Sequence, residues 1–274
     1  NIFPNWAVGL NRPAYSSIYG CVALLRRFRE ETRKIKPDVV YYSESLGPLP
    51  RISYDLTYNY DEHWLYEGLL APLPGRSYYG NWPVAQFMGK TTTHDMAEWL
   101  EMRRRVMPAG LIRVHHLDSH DSRMYGRDAF GADGARLLFA WSSFLDGGVM
   151  NYVGAEKGSE DFYGRVLHLR ESTPAMHDGV CDYLALQPSN DRVFAPLWRS
   201  PEGMAIPLFA FTDKPVQTDI PLDALKLDPA AQYTVREAFS STTRTATGKE
   251  LSRLSADLPA YGVQLWTITK ASRP

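Results

Sequence analysis

The feature of this sequence that most restricts its fold is a change in the hydrophobic pattern along the chain. Up to about residue 171, apolar segments typical of strands come between amphipathic segments with helical spacing. This alternation is typical of a parallel β/α architecture, because each crossover between parallel strands usually contains a helix. From about residue 191 onward, only short alternating segments remain, separated by Pro, Gly, Asp and Ser. These predict a small antiparallel β-sandwich as a second domain.

The periodicity also predicts where the elements of both parts lie, after a loop-like start over residues 1–20. In the first part, helices are predicted over residues 21–35, 95–106, 135–145 and 161–171, and strands over residues 38–42, 54–60, 111–117 and 149–153. In the second part, strands are predicted over residues 193–195, 204–211, 216–220, 233–235 and 263–268. We therefore place a domain boundary between residues 185 and 186, which divides the chain into residues 1–185 and 186–274.

Composition excludes several classes of protein. The 274 residues include 30 Lys and Arg and 31 Asp and Glu, and this balance argues against an electrostatic nucleic-acid binder. No segment approaches the ~20 apolar residues of a membrane span, so no membrane partner is expected. Two cysteines, Cys21 and Cys181, provide neither a disulfide framework nor a paired-cysteine zinc motif. No signal peptide is visible at Asn1, so we expect the chain to begin inside a longer protein, and its cellular location stays open.

Aromatic residues are abundant, with 7 Trp and 16 Tyr. Many of them cluster in the first part of the chain: Tyr41, Tyr42, Tyr58, Tyr60, Trp64, Tyr78, Tyr79 and Trp82. Ordinary packing accounts for most such residues. The alternative interpretation is that some of these rings are platforms for a flat apolar face such as that of a sugar.

Two acidic residues follow predicted strands of the β/α part. Glu44 comes after the strand at 38–42, and Asp121 comes after the strand at 111–117. In a (β/α) barrel the catalytic groups lie at the carboxyl ends of the strands, so both carboxylates are expected to face one pocket. Such a pair can divide the work of acid and base. The alternative is that each acid only caps a loop or a helix.

The histidines and acids of residues 115–121 raise the question of a metal site. On an extended strand, His116, Asp118 and His120 share one face. Successive side chains on one face of a strand are about 7 Å apart, which is too wide for one zinc ion with bonds of about 2.0–2.2 Å. We therefore predict no metal site here.

Five segments together carry a resemblance to one known family. They cover residues 39–44, 117–121, 147–156, 162–170 and 258–263. The first resembles a fifth barrel strand ending in an acid, and the second resembles a seventh-strand motif usually written Asn-His-Asp. The others resemble the eighth strand with its loop, the last barrel helix and the last strand of a C-terminal β-domain. In this order the sequence resembles the C-terminal half of the α-amylase superfamily, glycoside hydrolase family thirteen.

The resemblance implies a fold and a set of roles. The fold is a partial (β/α)8 TIM barrel, strands five to eight, followed by a small antiparallel β-sandwich. Glu44 is then the general acid, Asp121 stabilises the transition state and His120 binds the sugar. Tyr60 and Trp64, at the end of the predicted sixth strand and in its loop, are expected to contact the α-glucan substrate. No cofactor is expected, although the resemblance leaves room for a structural calcium in a part of the barrel before Asn1.

The sequence departs from the family pattern in three ways. The retaining mechanism needs a nucleophilic carboxylate, which the family carries on its fourth strand, and we find no such segment. Ser119 stands where the family usually has Asn, as in some branching-type relatives. Residues 46–53 are too few for an ordinary parallel crossover, so we expect the connecting helix to be reduced to a turn. We therefore expect an α-glucan hydrolase fragment without its nucleophile. The alternatives are a transglycosylase or branching-type enzyme, or a non-catalytic amylase-like binding protein.

Overall fold

A computed structural model describes residues 15–44, 51–58, 61–78, 90–122 and 124–271, with the backbone alone for residues 15–18 and 61. The first part contains four parallel strands that are neighbours in chain order. They are β1 (Tyr42–Glu44), β2 (Leu56–Tyr58), β3 (Ile112–His116) and β4 (Gly148–Met150). The helices are α1 (Tyr15–Ile35), α2 (Asp61–Leu69), α3 (Thr93–Val106), α4 (Tyr125–Phe144), α5 (Glu160–Ser172) and α6 (Pro174–His177). The predicted parallel β/α arrangement is confirmed.

The four-stranded sheet is strongly curved. Its outer strands are β1 and β4, yet the Tyr42 hydroxyl of β1 donates a hydrogen bond to the Met150 sulfur of β4 at 3.3 Å. A flat sheet would separate these strands by about three strand spacings of 4.7–4.9 Å. The concave face therefore encloses side chains from all four strands. On the opposite face, the hydroxyl of Ser43 donates to the hydroxyl of Thr57 at 3.1 Å.

Several predicted boundaries are corrected by the structure. Strand β1 lies later than predicted and includes Glu44, because a turn from Lys36 to Val39 leaves Val40 60% exposed and outside the sheet. Helix α1 begins at Tyr15, inside the segment predicted to be loop. The range of α4 contains two helical segments separated at Gly131, whose φ of 70° and ψ of −179° are not helical, so the helix predicted over 135–145 matches the second segment and the first segment was not predicted. Helices α2 and α6 were not predicted, and α2 occupies residues assigned to a loop.

The main hydrophobic core surrounds helix α4. Leu137, Phe139, Trp141 and Phe144 are all buried, and Leu137 and Phe139 lie on opposite sides of the helix at about 100° per residue, so this helix is apolar on more than one face. A helix with this pattern packs between two layers rather than on a surface. Each such side chain contributes about 1.5–3 kcal/mol to the stability of the fold.

The second part is antiparallel, as the sequence predicted. Its strands are β5 (Val180–Asp182), β6 (Val193–Phe194), β7 (Leu197–Ser200), β8 (Gly203–Ala210), β9 (Val216–Pro221), β10 (Gln232–Glu237), β11 (Thr243–Thr247), β12 (Arg253–Leu258) and β13 (Val263–Lys270). A seven-stranded sheet has the order β11-β10-β13-β8-β7-β5, with β6 paired to β8, and β9 pairs separately with β12. A 3-10 helix covers Asp223–Leu225. Strand β5 joins this sheet from the amino-terminal side of the predicted boundary at 185/186.

The antiparallel sheet packs against helices α4 and α5. The Trp198 indole donates a hydrogen bond to the Phe144 carbonyl at 2.9 Å, and Phe209 belongs to the same core as α4. Phe162 of α5 stacks on Phe239 with ring centroids 6.0 Å apart. A second core lies inside the antiparallel part itself. None of the helices in the described ranges has both the length and the apolar character needed to cross a membrane.

Candidate active site

Three exposed side chains meet at the carboxyl end of the parallel strands. Glu44 is the last residue of β1, whereas His120 and Asp121 lie in the loop that follows β3. One ligating atom of each side chain lies within 4.8 Å of the other two, and the His120 Nε2 is 3.5 Å from an oxygen of Asp121. The predicted meeting of these three residues on one rim is therefore confirmed. The roles assigned to them stay predictions.

Two serines shape the loop that carries His120 and Asp121. The Ser119 amide donates to the Ser122 hydroxyl at 2.8 Å. The Asp121 amide in turn donates to the Ser119 hydroxyl at 3.2 Å. Ser119 replaces the asparagine that the resemblance leads one to expect, and its hydroxyl accepts a hydrogen bond from the backbone of the candidate catalytic residue.

The base of the same loop rests on the first turn of helix α4. The carboxylate of Asp118, which is 3% exposed, accepts a hydrogen bond from the Gly126 amide at 2.8 Å. A Cβ at Gly126 would lie 2.4 Å from the Leu117 side chain, so any larger residue here would displace that side chain. Burial raises the pKa of Asp118 to about 7, and the charge of Asp128 adds to the rise. The hydrogen bond from Gly126 opposes it without reversing it.

The floor of the site consists of uncharged rings on the concave face of the sheet. Tyr58 lies between Tyr42, with ring centroids 5.4 Å apart, and His116, at 4.9 Å. Burial lowers the pKa of His116 to about 4, with a further contribution from His115. Burial, Tyr58 and Glu44 raise the pKa of Tyr42 to about 12. Both floor groups are therefore neutral near pH 7, and the acidic side chains of the site are those of Glu44 and Asp121 above them.

One wall is formed by three rings beside the loop after β3. The ring centroid of His63 lies 5.3 Å from that of Tyr125 and 5.5 Å from that of Tyr78, and the centroids of Tyr78 and Tyr125 are 5.6 Å apart. Burial lowers the pKa of His63 to about 3, so its imidazole is neutral and its Nε2 donates to the Leu117 carbonyl at 3.0 Å. The wall is thereby joined to the strand end that leads into the candidate catalytic loop.

A buried charged network lies on the other side of strand β3, facing the helices. Glu62 of α2 is 2.7 Å from His115 Nδ1, and His115 Nε2 donates to the Asp146 carbonyl at 2.8 Å. Arg113 pairs with the Asp146 carboxylate at 3.0 Å, and the Tyr183 hydroxyl also donates to that carboxylate. Burial disfavours the charged form of each group, but the opposite charge and the hydrogen bonds of its partners favour that form. The pKa of His115 is accordingly raised, and those of Glu62 and Asp146 are lowered.

Sequence reasoning did not find this network. Glu62 and Asp146 stand far apart in the chain and match no motif, and only the folding of α2 and α4 against β3 brings them to His115. The buried His115 carried a signal, since it lies in the run that includes His116 and His120.

The other predicted site residues are placed differently. Tyr60 lies outside the described residues. Trp64 is in helix α2, and its ring packs edge-on against Trp99 of α3 at 5.7 Å between centroids. The substrate-binding roles of both residues stay predictions.

A metal ligand set was considered at two places. Within the described ranges, Glu44, His120 and Asp121 are the only group of three or more histidine, cysteine or acidic side chains close enough to surround one ion. Exposed acidic groups often lie together without an ion, and we assign none. His116, Asp118 and His120 form no such group in the part of the chain that the structure describes.

Comparisons by sequence identify no relative. No protein-family model matches the chain, and no curated protein matches it significantly.

Comparisons by structure place the chain among known glycoside hydrolase folds. It is similar to a maltogenic α-amylase from Thermotoga neapolitana, with a TM-score of 0.68, 14% identity, and 89% of this chain and 58% of that chain covered. It is also similar to an α-amylase from Geobacillus thermoleovorans in complex with acarbose, with a TM-score of 0.67, 11% identity, and 91% of this chain and 57% of that chain covered. For a cyclic α-maltosyl-(1→6)-maltose hydrolase from Arthrobacter globiformis, the TM-score is 0.62 and the identity is 16%, with 89% of this chain and 53% of that chain covered.

These likenesses define the class of the fold. The chain has the fold of the α-amylases over about nine tenths of its length, and it spans between half and two thirds of each of these structures. At identities of 11–16% the likeness shows the fold alone. It agrees with the resemblance that the sequence motifs carry.

Proposed function

We propose that this chain is part of an α-glucan-active glycoside hydrolase of the α-amylase family. It would supply the second half of the catalytic barrel, strands five to eight, and the β-domain that follows. The observation that carries the proposal is the meeting of Glu44, His120 and Asp121 at the carboxyl end of the parallel strands. The α-amylase fold and the order of the sequence motifs support it.

In this proposal each of the three side chains has a separate task. Glu44 protonates the oxygen of the glycosidic bond as that bond breaks. The carboxylate of Asp121 stabilises the positive charge that develops on the sugar ring. His120, beside Asp121, donates a hydrogen bond to a hydroxyl of the same sugar. The neutral rings of Tyr42 and His116 below add no charge, so the carboxylate of Asp121 is the charge that faces the developing cation.

The retaining mechanism needs one more group. A nucleophilic carboxylate must attack the anomeric carbon, and in retaining enzymes this carboxylate lies about 5–5.5 Å from the carboxyl group of the acid. The resemblance assigns that carboxylate to a strand before β1, and no matching segment occurs in the printed sequence. We therefore assign the nucleophile to a polypeptide segment outside these 274 residues.

Binding to an oligosaccharide tests the substrate class. Maltopentaose is titrated into the purified chain, and the dissociation constant is measured by calorimetry or NMR. Wild type should bind, and Asp121→Asn should bind at least about tenfold more weakly, because hydrogen bonds to a charged group are worth about 1.5–3 kcal/mol. Glu171→Gln, which removes an exposed acid from the end of α5, is the matched control and should leave binding unchanged. Equal binding by wild type and Asp121→Asn would contradict the assigned site.

A further inference from the structure

The chain between helices α2 and α3 brings one more ring to the candidate site. Tyr78 remains 40% exposed although its ring packs on His63 and Tyr125. Burial raises the pKa of its phenol, and the charges of Asp121 and Glu44 raise it further. Tyr78 therefore belongs to the ring wall of the site, within the range over which the charges of both carboxylates act on its phenol, and part of its ring is open to solvent.

We propose that Tyr78 is a substrate-binding residue, whose ring contacts the apolar face of a glucose unit next to Glu44 and Asp121. The inference rests on the proposed function and extends it by assigning a specificity residue. A pyranose has one apolar face and a rim of hydroxyls. A partly exposed aromatic ring in the wall of a site that also holds two acidic side chains can match both features, since the ring contacts the apolar face and the acidic side chains form hydrogen bonds with the hydroxyls.

A buried carboxylate fixes the position of Tyr78. Glu67 of α2 is 1% exposed and accepts a hydrogen bond from the Tyr78 amide at 2.6 Å. It also accepts one from the Ser77 hydroxyl at 2.7 Å and one from the Tyr125 hydroxyl. A carboxylate out of contact with water needs such donors, and they come here from two separate parts of the chain.

This arrangement makes Glu67 a positioning residue. It joins the segment that carries Tyr78 to Tyr125, the first residue of α4, and so to the helix on which the loop of Asp121 rests. The segment of Tyr78 and the loop of Asp121 are thereby both connected to the first turn of helix α4. A binding surface fixed before the ligand arrives loses less conformational entropy on binding.

The test compares variants of the full chain in binding maltopentaose. Tyr78→Ala should weaken binding about threefold to tenfold, the range expected for loss of one ring contact, and Tyr78→Phe should stay within about twofold of wild type. Phe28→Ala removes a 57% exposed ring from helix α1 and is the matched control, expected to bind like wild type. Thermal unfolding of each variant verifies that it is folded.

Glu67→Gln provides an independent arm that leaves the Tyr78 ring in place. Glutamine replaces the carboxylate by one neutral acceptor oxygen and an amide nitrogen that only donates, so the charge-assisted hydrogen bonds from Tyr78, Ser77 and Tyr125 weaken and the segment loosens. We expect maltopentaose to bind about twofold to fivefold more weakly to this variant, because the loosened segment must become ordered when the ligand binds. Binding by Tyr78→Ala that equals wild type, while Asp121→Asn weakens it, would overturn the role of Tyr78 and leave the proposed function intact. Absence of binding by wild type would contradict both.

Discussion

Glu44 and Asp121 approach within 4.8 Å of each other although they belong to the ends of two different strands, β1 and β3. The strand between them, β2, ends in Tyr58, whose ring lies in the floor of the site. The curvature of the sheet accounts for the approach, since the same curvature brings Tyr42 to Met150 across the concave face. Two acids at the ends of non-adjacent strands thus lie together at one point of the rim.

The chain by itself is expected to hydrolyse no α-glucan at a useful rate, because the covalent step has no assigned nucleophile among its residues. Release of reducing ends from maltopentaose, measured for wild type and Glu44→Gln, should give the same background. In a protein that supplies the nucleophile, Glu44→Gln should lower the rate about 10²–10⁴-fold, the usual contribution of general acid catalysis. Turnover by the chain alone that is lost in Glu44→Gln would instead indicate that an acid within these 274 residues acts as the nucleophile and that the alignment of the motifs is wrong.

The unfolding free energy of Asp118→Asn should increase relative to that of wild type as the pH rises. The folded pKa of Asp118 is raised to about 7, above an unfolded value near 3.9, so the wild type loses stability between these values as the buried carboxyl ionises. Asparagine keeps an acceptor for the Gly126 amide and does not ionise. The difference in unfolding free energy between variant and wild type should therefore increase by about 2–4 kcal/mol between pH 4 and pH 8. Denaturant unfolding at several pH values measures it, and a constant difference would refute the assignment.

Glu62→Gln should destabilise the fold by about 3–5 kcal/mol, because it removes the nearer of the two anionic partners of the buried His115, the other being Asp146. The lowered pKa of Glu62 means that its contribution is lost as the pH falls below about 4.3. The raised pKa of His115 means that its contribution is complete below about 6.5 and is lost as the pH rises further. The deficit should thus be largest between about pH 4.5 and 6.5 in thermal unfolding. Glu171→Gln is the control, and a deficit independent of pH would be evidence against the pair.

Gly147→Ala should destabilise the protein by about 2–4 kcal/mol. Gly147 has a φ of 94°, and a Cβ there would lie 2.1 Å from the Arg113 carbonyl oxygen of the neighbouring strand. Gly164→Ala is the matched control, because Gly164 lies inside helix α5 with no atom within 4 Å of an added Cβ. That change should stabilise the fold by about 0.5–1 kcal/mol. Equal midpoints for the two variants in thermal unfolding would disprove the expectation for Gly147.

The sequence by itself determined the alternation of parallel strands and helices, the antiparallel second part and the two acids at strand ends. These follow from local periodicity, since the spacing of apolar residues gives the element type and the element type gives the pleat and the direction of each side chain. It also indicated the positions of His120 and Asp121, because motif order along the chain needs no tertiary contact. Helix α2 was missed for a local reason, since its face is too mixed in polarity to show helical spacing.

Only the tertiary structure decided the curvature that joins Glu44 to Asp121, the pairing of Glu62 with His115, and the attachment of Tyr78 through Glu67. Each depends on residues from separate elements that no periodicity relates. A buried carboxylate such as Glu67 looks in sequence like any surface acid of a helix. Its donors come from Ser77, Tyr78 and Tyr125, and they become its neighbours only when α2 and α4 pack together, because burial, unlike periodicity, is a property of the whole fold.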